Sequence, residues 1–397
     1  MARVVYREHE GGKAYWMALA GFGALIAAGL ASAYYMEHNG HIVTGMDNQV
    51  VWGMPHVFAV FLIVAASGAL NVASVSSVFG REVYKPMARL SALLALALLA
   101  SGLIVLVLDL GRPERLIVAM TTYNFSSIFA WNIFLYTGFM VIVGAYLLTM
   151  MGTGLDKFSK PVGLAAFIWR LALTTGTGSI FGWLIAREAY DAAVLAPLFV
   201  AMSLALGLAV FLLVVMALFG TGENAPGPEL RTRLGRLLGI FIAAVLYFTI
   251  VQHLTNLYAA EHKSIERFVL WEGGVITRLF WQFQIFLGAL VPLALIFLGP
   301  STLGRGRLAL AAVLVILGGL SQLYVIIIGG QSFPMVLFPG MIETSSFFDG
   351  ATTVYRPSLP EIMLGVGGMA LAIAITLVAV KILRILPTTL ADAGTHT

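Results

Sequence analysis

The stretch Val51-Trp52-Gly53-Met54-Pro55-His56-Val57-Phe58-Ala59-Val60-Phe61-Leu62-Ile63-Val64-Ala65-Ala66-Ser67-Gly68-Ala69-Leu70-Asn71-Val72-Ala73-Ser74-Val75-Ser76-Ser77-Val78 holds no Asp, Glu, Lys or Arg. About 20 mostly apolar residues in a helix cross the hydrocarbon of a bilayer, and this run exceeds that length. The pattern recurs along the chain. Working outward from it, spans are expected at Tyr15–Tyr35, Val51–Val78, Leu90–Leu108, Ile128–Met151, Val162–Ile185, Ala193–Leu218, Leu237–Tyr258, Leu279–Leu298, Leu308–Ile328 and Ile362–Leu386. In lipid every backbone N–H and C=O must be paired within its own segment, so these runs are read as helices, with their many Gly, Ala and Ser residues allowing close packing. The eighth and ninth are the weakest, and the exit of the ninth, from Gly329 to Gly340, has the turn residues of a segment that re-enters the membrane.

Composition agrees. Of 397 residues 60% are hydrophobic and 11% charged, against roughly 25% charged in a soluble domain. The polar gaps are too short to hold a separate core, so one membrane domain spanning 1–397 is expected, and the first apolar run, lacking a small-residue cleavage site, is read as a retained helix. The chain has no cysteine, which excludes disulfides, Cys-ligated zinc, iron–sulfur clusters and c-type haem. Fifteen of the 23 Lys and Arg residues fall in one set of alternate loops and seven in the other, with Arg170 inside a span. By the positive-inside rule both termini face the cytoplasm. The net charge of +4 thus reports orientation in the lipid bilayer rather than nucleic-acid binding. Met36–Gln49, Asp109–Phe125 and Gly329–Glu361 become outer segments, the last with Phe333-Pro334, Phe338-Pro339-Gly340 and Arg356-Pro357-Ser358 as the turns of an ordered cap.

Polar side chains inside a membrane are costly, so those that persist are the candidates for function. On the second span His56, Ser67, Asn71 and Ser74 share one narrow face at about 100° per residue. The serines read either as packing hydrogen bonds or as a polar route, whereas an imidazole at the water boundary is suited to exchanging a proton at neutral pH. Arg170, with Thr174 and Thr177 continuing its face, reaches a depth similar to Asn71. It either ties two helices together or lines a hydrated cavity that conducts protons or anions. At the outer end of the third span, Asp109-Leu110-Gly111-Arg112-Pro113-Glu114-Arg115 places two arginines on the face that should be poor in them. They pair with Asp109 and Glu114, bind an anion or dock a partner, and Tyr123, Asn124 and Trp131 follow. Asp109 ends near the depth where His56 begins, which makes a His–carboxylate couple geometrically feasible. His253, beside Gln252, lies near the outer end of the seventh span.

The run Val51-Trp52-Gly53-Met54-Pro55-His56 with Gly68-Ala69, then Asp109-Leu110-Gly111-Arg112-Pro113, Tyr123-Asn124-Phe125, Ala130-Trp131-Asn132 and Tyr355-Arg356-Pro357-Ser358-Leu359-Pro360-Glu361 resembles the NrfD/PsrC family of polysulfide-reductase-type membrane subunits over essentially the whole chain. Within it the sequence looks most like the DsrP-type subunits of the DsrMKJOP complex of dissimilatory sulfur metabolism. The resemblance implies an all-α integral membrane protein of about ten transmembrane helices: four-helix bundles at 51–185 and 193–328, flanked by helices at 15–35 and 362–386. It implies a multi-pass protein of a bacterial or archaeal cytoplasmic membrane that binds a quinone, menaquinone or ubiquinone, near the outer face and has no haem, iron–sulfur cluster or metal of its own. Electrons pass to a periplasmic, ferredoxin-like iron–sulfur subunit similar to DsrO, alongside other membrane and cytochrome subunits. The family's quinone-ligating histidine falls on His56. Trp52 stands where the polysulfide-reductase form has a polar residue, so the second hydrogen bond to the quinone has no assigned donor, and a later tyrosine ligand has no match.

On this reading His56 binds the quinone and exchanges its proton, Asp109 orients or recharges the imidazole, and Arg112 holds the outer loop against the partner. Trp52, Tyr123 and Asn124 complete the site, and Ser67, Asn71, Arg170, Thr174 and His253 form the proton path. The rival readings are a secondary transporter of an anion, which should show helix-breaking pairs at matching mid-span positions of both halves, and a haem-b subunit, which would need His56 and His253 to face each other.

Overall fold

The computed structural model describes residues 4–222, 224–335 and 351–391. Among them ten helices are long and apolar enough to cross a membrane: α1 (Lys13–Asn39), α2 (Met54–Ser77), α3 (Glu82–Leu108), α4 (Ile128–Met151), α5 (Asp156–Gly182), α6 (Leu195–Phe219), α7 (Pro228–Tyr258), α8 (Val275–Phe297), α9 (Arg305–Ser332) and α10 (Leu359–Ile382). Several begin where the sequence dictates. Pro55, Pro228 and Pro360 sit in the first turn of α2, α7 and α10, where a missing N–H costs nothing and the fixed φ suits a helix. The end of α9 differs from expectation: its last turns widen into a π-helix over Val325–Gly329 and run on to Ser332, so Gly329 is still helical. The turn at Phe338-Pro339-Gly340 lies outside the described residues.

Helices α2, α3, α4 and α5 pack in a ring, each on the next and α5 back on α2; α6, α7, α8 and α9 do the same. The two bundles meet where α6 lies against α2 and α5, and α9 against α2. Helix α1 packs on α10, which in turn covers α3 and α2. The most apolar stretch of α2 is wholly buried by protein, whereas that of α1 is only 11% buried, so α2 is the central post and α1 the outermost. Beside α1 and α10, strand β1 (Tyr6–Arg7) pairs antiparallel with β2 (Leu386–Pro387). Both ends of the described chain therefore lie on one face, called here the terminal face, as an even number of spans requires.

Two local features position the interior. Where α2 crosses α6 the backbones touch: a Cβ on Gly68 would lie 1.6 Å from the Ser203 carbonyl oxygen, and one on Gly207 2.2 Å from the Ala69 nitrogen. Two residues on, the ladder of α2 lapses at Leu70, between Met54–Ala69 and Asn71–Ser77. Ser91 of α3 causes it. Its hydroxyl donates to the Ala69 carbonyl at 2.6 Å and accepts from the Ala73 N–H at 3.0 Å, taking the place of the bond those two groups would make with each other. A side chain inserted into the ladder is a recognised cause of a helix break, and here it comes just before Asn71.

Candidate functional site

The start of α2 is gripped from two later helices. Gln331, at the end of α9, accepts from the Val51 and Trp52 N–H groups at 2.9 and 3.0 Å, and its amide nitrogen donates to the Trp52 carbonyl at 3.0 Å. Arg187 donates to the carbonyls of Gln331 (3.1 Å) and Gln49 (2.8 Å). From the other side the Tyr355 hydroxyl accepts from the Met54 N–H at 2.7 Å and donates to Glu361. Glu361 is fully buried at the third position of α10 and also accepts from the N–H groups of Gly45 and Ser358, each at 2.7 Å. Burial, and then the Glu361 carboxylate, push the Tyr355 phenol well up, which keeps it a donor.

This frame presents an aromatic surface. The Trp52 ring stacks on His56 with centroids 5.2 Å apart and planes 10° from parallel, meets Phe181 edge-on at 5.8 Å, and lies 6.3 Å from Tyr190 and 6.1 Å from Phe129. Tyr190 is fixed by donating to the Ile327 carbonyl at 2.7 Å. His56 is half-buried, and among the described residues its ring nitrogens have no hydrogen-bond partner. A flat aromatic platform beside an unpartnered imidazole suits a planar ring that carries carbonyl acceptors. The residues present thus fit a quinone.

Asp109 caps the end of α3 but shares no hydrogen bond with His56, so the expected couple is not formed. Its Oδ1 is sealed from solvent without a partner. Burial, and then the carboxylates of Glu361 and Glu37, push its acid up to about 8. Arg112 and Arg115 are exposed and make no ion pair with Asp109 or Glu114 among the described residues. Among the described residues Tyr123 and Asn124 share no hydrogen bond or ring contact with His56. Tyr123 stacks on Phe134 at 4.4 Å, the Asn124 side chain accepts from the Ser126 N–H at 3.0 Å, and Trp131 donates to the Phe125 carbonyl at 2.8 Å. These form a self-contained aromatic turn at the surface.

The polar face of α2 does meet α5. The Ser67 and Thr174 hydroxyls are hydrogen-bonded to each other at 2.5 Å and lie 3.2 and 2.8 Å from the Arg170 carbonyl oxygen, and Arg170 donates to the Asn71 side chain at 3.2 Å. Arg170 is 2% exposed, and its Nε and Nη1 have no protein partner. Toward the terminal face the Ser77 and Tyr146 hydroxyls are 2.5 Å apart and line a cavity of about 520 Å³ with Lys85, Arg89 and Lys160. Toward the opposite face Thr177 donates to the Leu173 carbonyl at 2.9 Å, and the buried Asn132 donates to that of Gly176 at 3.1 Å. His56, eleven residues before Ser67, is about 16 Å further along the axis at 1.5 Å per residue. His253 does not join this route. It lies in the second bundle, its Nδ1 2.7 Å from Glu266, so the two histidines do not face each other as a haem would require.

Gln331, Arg187, Tyr190, Tyr355, Glu361 and Glu266 were not among the residues selected from the sequence. The last motif ending in Glu361 contained a signal, since Ser358 followed three residues later by Glu361 is the spacing at which a carboxylate caps a helix start. For Gln331 nothing local marks the role, because its partners lie some 280 residues earlier in the sequence.

Residues 42–335 match the family model described as polysulphide reductase, NrfD. Three relatives extend the match. An Hdr-like menaquinol oxidoreductase integral membrane subunit of Archaeoglobus fulgidus is 27% identical over 97% of both chains. A putative dimethyl sulfoxide reductase membrane subunit of Halobacterium salinarum is 29% identical over 90% of this chain and 89% of its own. A polysulfide reductase chain of Wolinella succinogenes is 23% identical over 72% of this chain and 96% of its own. With ten membrane-length helices among the described residues and a family match across most of its length, the protein is a multi-pass prokaryotic membrane protein that belongs to the NrfD, or polysulphide reductase, family.

Proposed function

We propose that this chain is the quinone-reactive membrane subunit of a respiratory redox complex, exchanging electrons between membrane quinone or quinol and an iron–sulfur subunit on the periplasmic face. The observation that carries the reading is His56: an imidazole with no protein partner, held against the Trp52 ring by a frame of buried hydrogen bonds at one end of the central helix. His56 would hold a quinone oxygen, with Trp52 and Phe129 bounding the ring. When bound, the quinone supplies two-electron, two-proton chemistry.

The chain's own part is to bind, to orient and to move protons. His56 gives or takes a proton at a ring nitrogen, the other nitrogen staying free for resupply from the face on which it lies. Asp109, a carboxylic acid in its neutral form over much of the neutral range, is a proton reserve at that end. It shares no hydrogen bond with the imidazole. The Ser77–Tyr146 and Asn71–Arg170 groups take protons from the terminal face toward mid-membrane. Menaquinone is the quinone favoured by the name of the Archaeoglobus relative, and the Wolinella relative favours sulfur metabolism and hence a DsrO-like partner. The exposed Arg112 and Arg115 serve that partner. The test is quinol-linked electron transfer and quinone content in the complex purified with the wild-type protein or with His56→Ala. Loss of both is expected, and an assembled His56→Ala complex with wild-type rate and quinone content would overturn the reading.

A further inference from the structure

The second bundle holds a titratable pair that the quinone site does not use. On α7, Thr249, Gln252, His253 and Asn256 fall within two turns; the backbone then reverses at Ala260–His262, and the short helix Lys263–Arg267 folds back so that Glu266 meets His253. His253 Nδ1 lies 2.7 Å from Glu266 Oε2, and the Asn256 amide donates to Oε1 at 2.8 Å. Glu266 is 2% exposed. A buried carboxylate facing one amide and one imidazole is tolerated in its charged form only when the imidazole carries a proton.

Two adjoining cavities open from this pair. One is lined by Gln252, His253, Asn256 and Glu266; the other runs inward to Met202, Leu206, Ile242 and Leu246; Thr249, Gln284 and Gln322 border both. Each has a volume of about 30 Å³. A water needs roughly 10–15 Å³ of such space, whereas pockets for drug-sized ligands run to about 300 Å³ and more. The space therefore suits water and not a quinone ring. Gln284, more than nine-tenths buried, borders it with an Oε1 that has no protein partner, as a site for ordered water would leave it. The inner end closes on apolar side chains, so a file of water stops there.

The backbone around the cavity is unusual in the same place. Three π-helical stretches, Phe268–Glu272, Leu279–Leu290 and Val325–Gly329, each contribute lining residues, Val269, Gln284 and Val325 among them. Such widened turns are frequent at functional sites. Ala189 and Gly330 line the cavity, and their sequence neighbours Tyr190 and Gln331 meet Trp52, so the same two segments border both sites.

We propose that the His253–Glu266 pair and the water it borders form a second proton-binding site, a dead-end proton well in the second bundle opening toward the face that carries His56. A proton arrives through water, converts the Glu266 carboxylate to the acid, and leaves by the same path, with no bond other than O–H made or broken. Few other charges face it. Helix α8 presents Phe280 and Gln284, α9 presents Gln322 with Tyr324 at the edge of the neighbouring apolar cluster, and the preceding loop presents Ala189 while Glu188 turns to His262 and Ser264. Lys263 is exposed and Arg267 pairs with Glu272.

Infrared difference spectra of the purified complex, recorded without added quinol as the pH is lowered, test the proposal. A carboxylic-acid C=O band should grow in the wild type and be missing in Glu266→Gln. In His253→Gln, which removes the facing imidazole, the band should appear at a higher pH. Gln284→Leu, which replaces the unpartnered amide with an apolar side chain, should displace the midpoint. Spectra of Glu266→Gln identical to wild type would overturn the proposal. If that variant does not assemble, an unmoved band in both His253→Gln and Gln284→Leu would do the same. Because the titration needs no quinone turnover, its outcome is independent of the role given to His56.

Discussion

His56 is held by what surrounds it rather than by bonds of its own, and this sets what substitution there should do. Removing a general acid–base residue typically costs on the order of 10²–10⁴ in rate, and His56→Ala is expected to fall in that range in quinol-linked electron transfer. His56→Gln retains a donor and acceptor but cannot exchange a proton at neutral pH. It should keep more quinone bound than the alanine variant while turning over no faster, which extraction of the quinone from the purified complex would show. Asp109 gives a different signature. Its acid, ordinarily near 3.8, is raised to about 8, so the folded protein binds that proton more tightly than the unfolded chain does. The stability it contributes is full below the unfolded value and is lost as pH rises through the folded one. Asp109→Asn cannot ionise beside Glu361 and Glu37, so its thermal midpoint should gain on the wild type progressively between about pH 4 and pH 8 and run parallel above that. Thermal unfolding of the complex across that range checks the sign, and a gap that widens toward acid would refute it.

Among the elements, α2 carries the site and depends on its neighbours at two points. At its start Gln331 satisfies the N–H groups of Val51 and Trp52, and a buried donor left without a partner costs about 1–3 kcal/mol. Gln331→Leu should lower thermal stability by an amount of that order and weaken quinone binding through a loosened Trp52. Gln331→Glu, which keeps the acceptor, should be milder, and equal behaviour of the two would show that the Trp52 frame is unimportant. At its middle the Gly68–Gly207 crossing admits no side chain. Gly207→Ala must push α6 off α2, an overpacking that costs about 1–3 kcal/mol or more, and because α6 joins the bundles the loss should appear as reduced assembly measured by the yield of intact complex. The same central position explains a misleading feature of hydropathy here: α2 is apolar on nearly every side because protein surrounds it, while the less buried α1 faces the surroundings.

For the whole molecule, the paired strands near the two ends put both on one face, and the fifteen-to-seven distribution of basic residues predicts that this face is cytoplasmic. The sequence has no cysteine, so the protein is its own background for labelling. Single cysteines at Asn39 or Leu110 should react with an impermeant thiol reagent added from the periplasm, and one at Thr232 only after the membrane is opened. The reverse pattern would invert the protein and place His56 at the cytoplasmic face.

Hydropathy and the spacing of polar residues are local properties, and what depends on them alone was readable from the sequence: the ten spans, the shared face of Ser67 and Asn71, and the matching depth of Arg170. A helix in lipid must satisfy its own backbone, so its length and direction follow from about 20 consecutive residues. Contacts between helices are different. Depth alone suggested that Asp109 would meet His56 and that His253 would serve the first bundle's polar route, but two groups at one depth can stand on opposite sides of a bundle. The rotation of each helix about its axis decides, and that is set by packing such as the Gly68–Gly207 crossing and the Ser91 insertion into α2. Tertiary structure therefore chose Gln331 and Tyr355 as supports for the start of α2, because their bonds to Val51, Trp52 and Met54 join segments about 280 to 300 residues apart, and it gave His253 to Glu266 across a reversal of the backbone.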